Sequence, residues 1–214
     1  MAAKDTEINY VDTDQHAIDA AMIERCIRLS GIAAERGELP FAAIVAKGGE
    51  VVAETSNQVV QDDDVTHHAE LVAISKAQKI LGRGQLEDCT LYTTVEPCAM
   101  CSFAVRETRI SRVVFSIRSP MMGGLSKWNV LRDTELSHAM PEVFGPVPEV
   151  IGGLSRSDAE KVWEAWNPLF WAVIKRRGYL GGNGVAAENE HLRAPPERWS
   201  LLRRVFRLHK RRPS

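Results

Sequence analysis

Two short motifs, His68-Ala-Glu70 and Pro97-Cys-Ala-Met-Cys101, constrain this chain more than any other feature. Two cysteines three residues apart in the first turn of a helix lie on one face, so both thiols can hold the same ion. One histidine completes three protein ligands, and a zinc ion with three protein ligands keeps a fourth position for water. Glu70 follows His68 by two residues, close enough to exchange a proton with that water. The motifs therefore predict a reactive zinc site.

A structural zinc site is the alternative for any Cys-x-x-Cys pair, because such sites are common and are closed by four protein ligands. They need no neighbouring glutamate, so the complete set of residues favours catalysis. His67 adjoins His68 but is expected on another face of the helix, where solvent contact or capping is the ordinary role. Cys26 and Cys89 fall within a predicted helix and a predicted strand, where we expect small buried side chains.

The charge of the chain is unevenly distributed. The 214 residues carry a formal net charge of −1, but residues 191–214 contain eight Lys or Arg and one Glu. That tail is therefore +7, and the preceding 190 residues are −8. An acidic body is a poor general partner for phosphate backbones, so only the tail offers a basic surface for RNA.

The cysteine usage and the N-terminal composition favour a reduced, cytoplasmic protein. Residues 1–13 contain no apolar run of the kind that a signal peptide needs. No stretch approaches the roughly 18 apolar residues of a membrane span, so no membrane association is expected. Two of the four cysteines belong to the Cys-x-x-Cys pair, which leaves little for a disulfide framework.

Hydrophobic periodicity and turn residues predict alternating strands and helices after an initial hairpin. The predicted strands are Phe41–Ala46, Val51–Thr55, Cys89–Val95, Arg112–Ile117 and Glu149–Ile151. The predicted helices are Asp14–Arg36, His67–Leu81 (with Thr66 or Asp64 as N-cap), Cys98–Thr108, Ser155–Arg177 and Pro196–Lys210. This order indicates an α/β fold, a three-layer αβα sandwich with a mixed five-stranded sheet. We expect a catalytic domain over residues 1–180, a linker over 181–195 and a basic amphipathic helix over 196–214.

The chain resembles the cytidine deaminase-like superfamily between Leu39 and Ile117. The matching segments are Pro40-Phe-Ala-Ala43, Asn57, His68-Ala-Glu-Leu71, Leu91-Tyr-Thr-Thr-Val-Glu-Pro-Cys-Ala-Met-Cys101 and Arg109-Ile-Ser-Arg-Val-Val-Phe115. The similarity is greatest to the branch that holds tRNA adenosine deaminases, guanine deaminases and fungal-type cytosine deaminases. The H-x-E and P-C-x-x-C pattern is itself a signature of zinc-dependent nucleobase deaminases.

The resemblance implies hydrolytic deamination of a nucleobase, with one Zn²⁺ per chain and a bound water or hydroxide. The implied zinc ligands are His68, Cys98 and Cys101. Glu70 is the implied general acid and base, which carries a proton from water to the ring. The implied substrate contacts are Asn57, the aromatic ring of Phe41 and the backbone N–H of Ala69. Because relatives form dimers or tetramers, the resemblance also implies a homodimer.

The substrate is less clearly indicated, because the chain departs from each branch of the superfamily. Ser119-Pro-Met-Met-Gly-Gly124 stands where tRNA adenosine deaminases have an acidic residue and a Lys-Thr-Gly-like segment. Phe41 after Pro40 is closer to guanine deaminases, whose C-terminal signature is missing. The acidic body favours a small free nucleobase or nucleoside. Two alternatives stay open: tRNA adenosine, reached through the basic tail, and a non-catalytic zinc-stabilised binding protein.

Overall fold

The computed structural model describes residues 13–181 of the chain. Five strands form one sheet in the order β2-β1-β3-β4-β5. The strands are β1 Ala42–Lys47, β2 Glu50–Ser56, β3 Cys89–Val95, β4 Arg112–Ile117 and β5 Glu149–Gly152. β1 pairs antiparallel with β2 and with β3, whereas β3, β4 and β5 run parallel. The mixed five-stranded sheet predicted from the sequence is confirmed.

Helices cover both faces of this sheet. They are α1 Thr13–Glu35, α2 Val59–Asp62, α3 Ala69–Leu81, α4 Ala99–Glu107, α5 Thr134–Ala139, α6 Arg156–Trp166 and α7 Pro168–Arg176. On one face α3 and α4 pack against the strands, and on the other face α1 and α6 do. Side chains of β3 alternate accordingly, with Leu91 in the α3 and α4 layer and Tyr92 in the α1 layer. The fold is therefore a three-layer αβα sandwich.

The β1–β2 hairpin depends on its two glycines. Lys47 pairs with Glu50, so Gly48 and Gly49 form the whole loop. Both have positive φ, of 55° and 82°, which glycine adopts without steric cost. A two-residue loop with positive φ at both positions matches the twist of the strands that it joins. The Gly-Gly pair thereby fixes the register that sets the far end of the hairpin beside β3.

The C-terminal helical region corrects one prediction, because the single helix expected over Ser155–Arg177 is two helices. α6 ends at Trp166, and Asn167 is extended, with φ −159° and ψ 95°. Pro168 disfavours the helical conformation in the residue before it, which ends α6. Pro168 is also the first residue of α7, and the Asn167 side chain accepts a hydrogen bond from the N–H of Phe170. Asn167 and Pro168 together produce a helix end and a new start.

The N-cap of α3 also differs from the prediction. The prediction of Thr66 or Asp64 as the N-cap of α3 is wrong, because the N-cap is His68. Asp64 instead accepts hydrogen bonds from the backbone and hydroxyl of Thr66. The predicted linker beyond Gly181 and the basic helix over 196–214 lie outside the described residues. Within residues 13–181, no helix is long and apolar enough to cross a membrane.

A buried ion pair joins α1 to the sheet. Asp19 is fully buried, and both of its carboxylate oxygens accept hydrogen bonds from Arg112 at 2.6 Å. Its Oδ1 also accepts a hydrogen bond from the hydroxyl of Tyr92 at 2.8 Å. Burial lowers the pKa of Arg112, but Asp19 and Glu149 outweigh that effect and raise it. The guanidinium therefore stays charged, and Asp19 is its buried partner.

We expect Asp19→Ala to destabilise the protein by about 3 kcal/mol, because it removes the acceptor of the Tyr92 hydroxyl and of two guanidinium hydrogen bonds and leaves Arg112 with the exposed Glu149 alone. Glu24→Ala is the matched control, since Glu24 forms an exposed pair with Arg28 on the same helix that is worth about 0.5 kcal/mol or less. Urea denaturation of both variants measures the difference in the free energy of unfolding. Equal losses in the two variants would contradict this role of Asp19.

Candidate functional site

The site forms where three chain segments meet at one end of the sheet. Because β1 runs antiparallel to β3, the start of β1 lies beside the end of β3, and Ala42 donates its N–H to Thr94 Oγ1 at 3.2 Å. The end of β2 lies on the other side, where the N–H of Asn57 donates to the carbonyl of Phe41 at 3.0 Å. Hairpin register and strand direction thus bring together residues that are far apart in sequence.

The three predicted metal ligands form a nearly equilateral triangle. Cys98 Sγ and Cys101 Sγ lie 3.6 Å apart, and each is 3.6 Å from His68 Nδ1. In a tetrahedral site, Zn–S distances of about 2.3 Å and Zn–N distances of about 2.0 Å separate two sulfurs by about 3.8 Å and sulfur from nitrogen by about 3.5 Å. The triangle therefore fits one Zn²⁺ with the fourth position unfilled by these three residues. Among the described residues this is also the one His/Cys/Asp/Glu group spaced to hold a metal.

Two helix N-termini deliver these ligands. His68 is the N-cap of α3 and Cys98 the N-cap of α4, and neither side chain caps its own helix. Both side chains are therefore available for an ion. The positive ends of the two helix dipoles lie at the cluster, which favours thiolate and any negative charge that develops there.

Glu70 lies in the first turn of α3 and is almost entirely buried, with 6% of its surface exposed. Burial raises its pKa to about 7, and the negative charge of Cys98 acts in the same direction. A carboxyl group that exchanges its proton near neutrality is suited to act first as a base and then as an acid. Its surroundings therefore fit the predicted role.

The pKa values of the three predicted ligands are shifted in different directions. A hydrogen bond from the Cys101 thiol lowers the pKa of Cys98 to about 4, with His68 acting in the same direction. The same hydrogen bond, together with burial, raises the pKa of Cys101. The hydrogen bond with Cys98 raises the pKa of His68. One sulfur is thus anionic at neutral pH, the form that binds zinc.

The predicted substrate contacts lie at the start of α3, just after β2 and just before β1. Ala69 is the first residue of α3, so its N–H has no partner within the helix. Its carbonyl accepts a hydrogen bond from Thr55 Oγ1 at 2.6 Å, which ties the start of α3 to β2. Asn57 is 3% exposed and directly follows β2. Phe41 is partly buried and directly precedes β1.

Phe41 rests on an aromatic cluster supplied by α6 and α7. Its ring meets the ring of Trp163 edge to face, with 5.1 Å between centroids. Trp163 stacks on Trp171 at 5.7 Å and meets Trp166 at 5.9 Å. Trp163 and Trp171 are buried core residues, and the partly buried Trp166 packs against the same cluster. The C-terminal helices thereby support an aromatic side chain beside the site.

Glu96 is a site residue that sequence reasoning quoted without assigning it a role. It is 2% exposed, and its carboxylate accepts four hydrogen bonds from the segment that follows β4. The donors are the backbone N–H groups of Ser119, Leu125 and Ser126 and the hydroxyl of Ser126. We call residues 119–126 the Met loop, because it presents the half-exposed Met121 and Met122.

The Met loop lies directly against the cysteine motif. Gly123 forms a β-bridge with Cys98, and the N–H of Gly124 donates to the carbonyl of Pro97 at 2.8 Å. A Cβ at Gly123 would clash with the Glu96 carboxylate, and one at Gly124 would clash with the side chain of Ser102. Both glycines are therefore required for this close approach.

We expect Glu96→Gln to loosen the Met loop, because an amide cannot accept all four hydrogen bonds and turns its N–H₂ toward donors. The expected loss of stability is about 2 kcal/mol. Hydrogen exchange of the amides of Ser119, Leu125 and Ser126 is expected to accelerate. Unchanged exchange at all three amides would contradict the role of Glu96. Glu87→Gln, which alters an exposed carboxylate, is the control.

His67, Cys26 and Cys89 take no part in the metal-binding triangle. His67 lies apart from the triangle, with Nδ1 2.7 Å from Asp62 Oδ2 and Nε2 3.4 Å from Asp64 Oδ2. Cys26 and Cys89 are buried core residues, as expected. Burial raises the pKa of the Cys89 thiol to about 11 and raises the pKa of Cys26 as well, so both stay protonated.

Comparisons with known proteins agree with this geometry. The family model described as "Cytidine and deoxycytidylate deaminase zinc-binding region" matches residues 16–117. The tRNA-specific adenosine deaminase of Aquifex aeolicus is 41% identical over 116 residues, which cover 54% of this chain and 77% of that protein. The guanine deaminase of Bacillus subtilis is 47% identical over 77 residues, which cover 36% of this chain and 49% of that enzyme.

A solved structure shows the same similarity in three dimensions. It comes from a study of A-to-I editing by tRNA deaminases at the wobble position of transfer RNA. The two share 29% sequence identity and a TM-score of 0.60, over 66% of this chain and 98% of that one. Fold, metal-binding triangle and relatives together define a zinc-dependent hydrolytic deaminase of a nucleobase or nucleotide. The chain belongs to the cytidine deaminase-like superfamily.

Proposed function

We propose that this protein deaminates a small free nucleobase or nucleoside, replacing an exocyclic amine by a carbonyl and releasing ammonia. The observation that carries the proposal is the triangle of His68, Cys98 and Cys101 with the buried Glu70 beside it. In this proposal the three side chains hold Zn²⁺. When bound, zinc acidifies water and so supplies a nucleophile at neutral pH.

In this proposal Glu70 transfers protons, and three other residues bind the substrate. Glu70 takes a proton from the attacking water and delivers it to the ring nitrogen next to the carbon that bears the amine. It then carries the proton of the newly added hydroxyl group to the amine, which leaves as ammonia. Asn57 and the N–H of Ala69 hold the polar edge of the ring, and Phe41 contacts its face. These contacts orient the ring carbon toward the attacking water.

Charge supports a small substrate over a large nucleic acid. The 190 residues before the basic tail carry a net charge of −8, which disfavours a phosphate backbone near the site. The Met loop also lacks the Lys-Thr-Gly-like segment of tRNA adenosine deaminases. We propose that Met121 and Met122 contact the substrate, because the Met loop adjoins Cys98.

Ammonia release from a panel of cytosine, guanine, adenine and their nucleosides tests the proposal. Turnover of at least one panel member, abolished by a zinc chelator and restored by zinc, is the expected result. Turnover confined to folded tRNA would contradict a small substrate and would favour deamination of adenosine in tRNA. Absence of turnover with every substrate, together with a fourth protein ligand on zinc, would indicate a binding protein.

The second candidate is deamination of adenosine in tRNA, favoured by the Aquifex aeolicus relative, of which this chain covers 77%. In this case a domain over residues 1–180 carries the chemistry, and a basic helix over 196–214, joined by a linker over 181–195, contacts phosphates. Truncation after Gly184 would then abolish activity, and activity would fall steeply with salt. Activity on a free base that survives this truncation would exclude the role of the tail.

We also propose a homodimer, which places the zinc sites near the contact between copies. Met100 and Phe103 lie on α4, the helix that Cys98 caps, and are 39% and 44% exposed, so they offer apolar surface to a second copy. Phe103→Glu is expected to produce a monomer in sedimentation experiments, whereas a charge at the exposed Leu169 is not. A monomeric wild-type protein would contradict the proposal.

A further inference from the structure

We propose that Glu38 is a positioning residue, which fixes the orientation of the Asn57 side-chain amide and so the hydrogen-bonding groups that Asn57 shows to the substrate. This inference rests on the proposed function, in which Asn57 contacts the ring. Nothing in the sequence distinguishes Glu38 from an ordinary loop residue after Gly37. Its contacts alone reveal the role.

Glu38 is a buried carboxylate, with 3% of its surface exposed, between α1 and β1. Its Oε2 accepts a hydrogen bond from Asn57 Nδ2 at 2.9 Å, and its Oε1 accepts one from the N–H of Gln61 at 2.7 Å. Within residues 13–181, no Lys, Arg or His side chain forms an ion pair with it. A buried carboxylate without a cation depends on such hydrogen bonds, so both contacts are needed.

The carboxylate decides which end of the Asn57 amide faces it. The oxygen and nitrogen of an asparagine amide have nearly the same shape, so shape alone would permit either orientation. An ionised carboxylate only accepts hydrogen bonds, so Nδ2 must face Glu38. Flipping the amide would oppose Asn57 Oδ1 to Glu38 Oε2 and leave two acceptors in contact without a proton.

The rest of Asn57 is held as well. Its backbone N–H donates to the carbonyl of Phe41 at 3.0 Å, which fixes the main chain beside β1. In the described part of the chain, no group donates to Asn57 Oδ1. With Nδ2 committed to Glu38, Oδ1 remains as an acceptor for an N–H of the substrate ring. Glu38 therefore acts on the substrate through Asn57.

A purely structural role is the competing explanation, because Glu38 also steadies the segment before His68. Gln61 belongs to α2, and the N–H of Gln58 donates to the carbonyl of His67 at 3.1 Å. Loss of Glu38 could therefore disturb the zinc ligand. The experiment has to separate this effect from the orientation of Asn57.

A double-mutant cycle makes this separation, with Glu38→Gln, Asn57→Ala and the double variant. The substrate is the panel member that wild type converts with the highest kcat/KM. We expect Glu38→Gln to lower kcat/KM by about 30-fold, the effect of a lost hydrogen bond to a charged group. Asn57→Ala lowers it at least as much, and the double variant is no worse than Asn57→Ala within about threefold. Zinc stays at one per chain throughout.

Glu54→Gln is the matched control, because Glu54 is a carboxylate on β2 that pairs with Arg25 away from Asn57. It should lower kcat/KM by less than about twofold and show no coupling to Asn57→Ala. Multiplicative losses in the Glu38 and Asn57 double variant would overturn the inference. Loss of zinc in Glu38→Gln would overturn it too, since Glu38 would then act through His68.

A spectroscopic measurement decides the inference even if wild type converts no panel member, an outcome that contradicts the proposed function alone. The Asn57 side-chain amide signals are identified in the NMR spectrum by their absence in Asn57→Ala. A proton donated to a carboxylate resonates downfield, so Glu38→Gln should move one of the two signals upfield. Unchanged signals would show that Glu38 does not hold the amide.

Discussion

Glu70→Ala is expected to keep one zinc per chain and to lose turnover by about 10³-fold or more. The carboxylate is buried beside the thiols but is not one of the three groups that form the metal-binding triangle. Its removal therefore takes away the proton carrier and leaves the ligands intact. Metal analysis of the purified variant and the ammonia assay on the same sample measure both effects.

Glu70→Gln and Glu164→Ala complete this experiment. The glutamine variant preserves the size of the side chain without its proton transfer, so its loss should be similar to that of Glu70→Ala. Glu164 is an exposed glutamate of α6, and its replacement should change turnover by less than about twofold. Loss of zinc in both Glu70 variants would identify Glu70 as a ligand and contradict its proposed role.

Cys98→Ala is expected to lose both bound zinc and stability. Two ligands cannot replace three, and metal binding that is coupled to folding contributes about 4 kcal/mol when free zinc exceeds its Kd about 1,000-fold. The start of α4 and the Met loop should loosen together, because the lost metal would no longer hold the start of α4, with which the Met loop pairs through the main chain of Gly123. Zinc stoichiometry and the free energy of unfolding are the two measurements.

Cys26→Ala provides the comparison for this second prediction. Cys26 is fully buried in the α1 layer, on the face of the sheet opposite α3 and α4, so its replacement costs packing alone, about 1 kcal/mol. A chelator should destabilise wild type and Cys26→Ala equally, and Cys98→Ala hardly at all. Unchanged zinc content in Cys98→Ala would exclude Cys98 as a ligand.

Much of the fold could be predicted from local patterns. Alternation and turn glycines located the hairpin, and the five predicted strands agree with the structure to within a residue or two. The helix predicted over Ser155–Arg177 was wrong because its apolar periodicity continues across Asn167 and Pro168. Periodicity alone does not show the break, because apolar residues recur at helical spacing on both sides of Pro168.

Part of the site could be predicted from the sequence, and part could not. The metal-binding triangle was predictable because its chemistry needs particular residue types at fixed spacings in the chain. Glu38 and Glu96 were not assigned roles, because each acts on groups 19 to 30 residues away in sequence. A single buried acid has no periodic signal. Only the folded chain shows which N–H groups donate hydrogen bonds to such an acid.

The contact between Phe41 and Trp163 sets a minimum length for a working fragment of this protein. The family match ends at Ile117, yet Ile117 packs in the same cluster as Trp163 and Trp171. A fragment trimmed to the matched region would leave that cluster facing water and deprive Phe41 of its backing. For recombinant work, the smallest useful piece must run at least to Leu180, which closes the cluster.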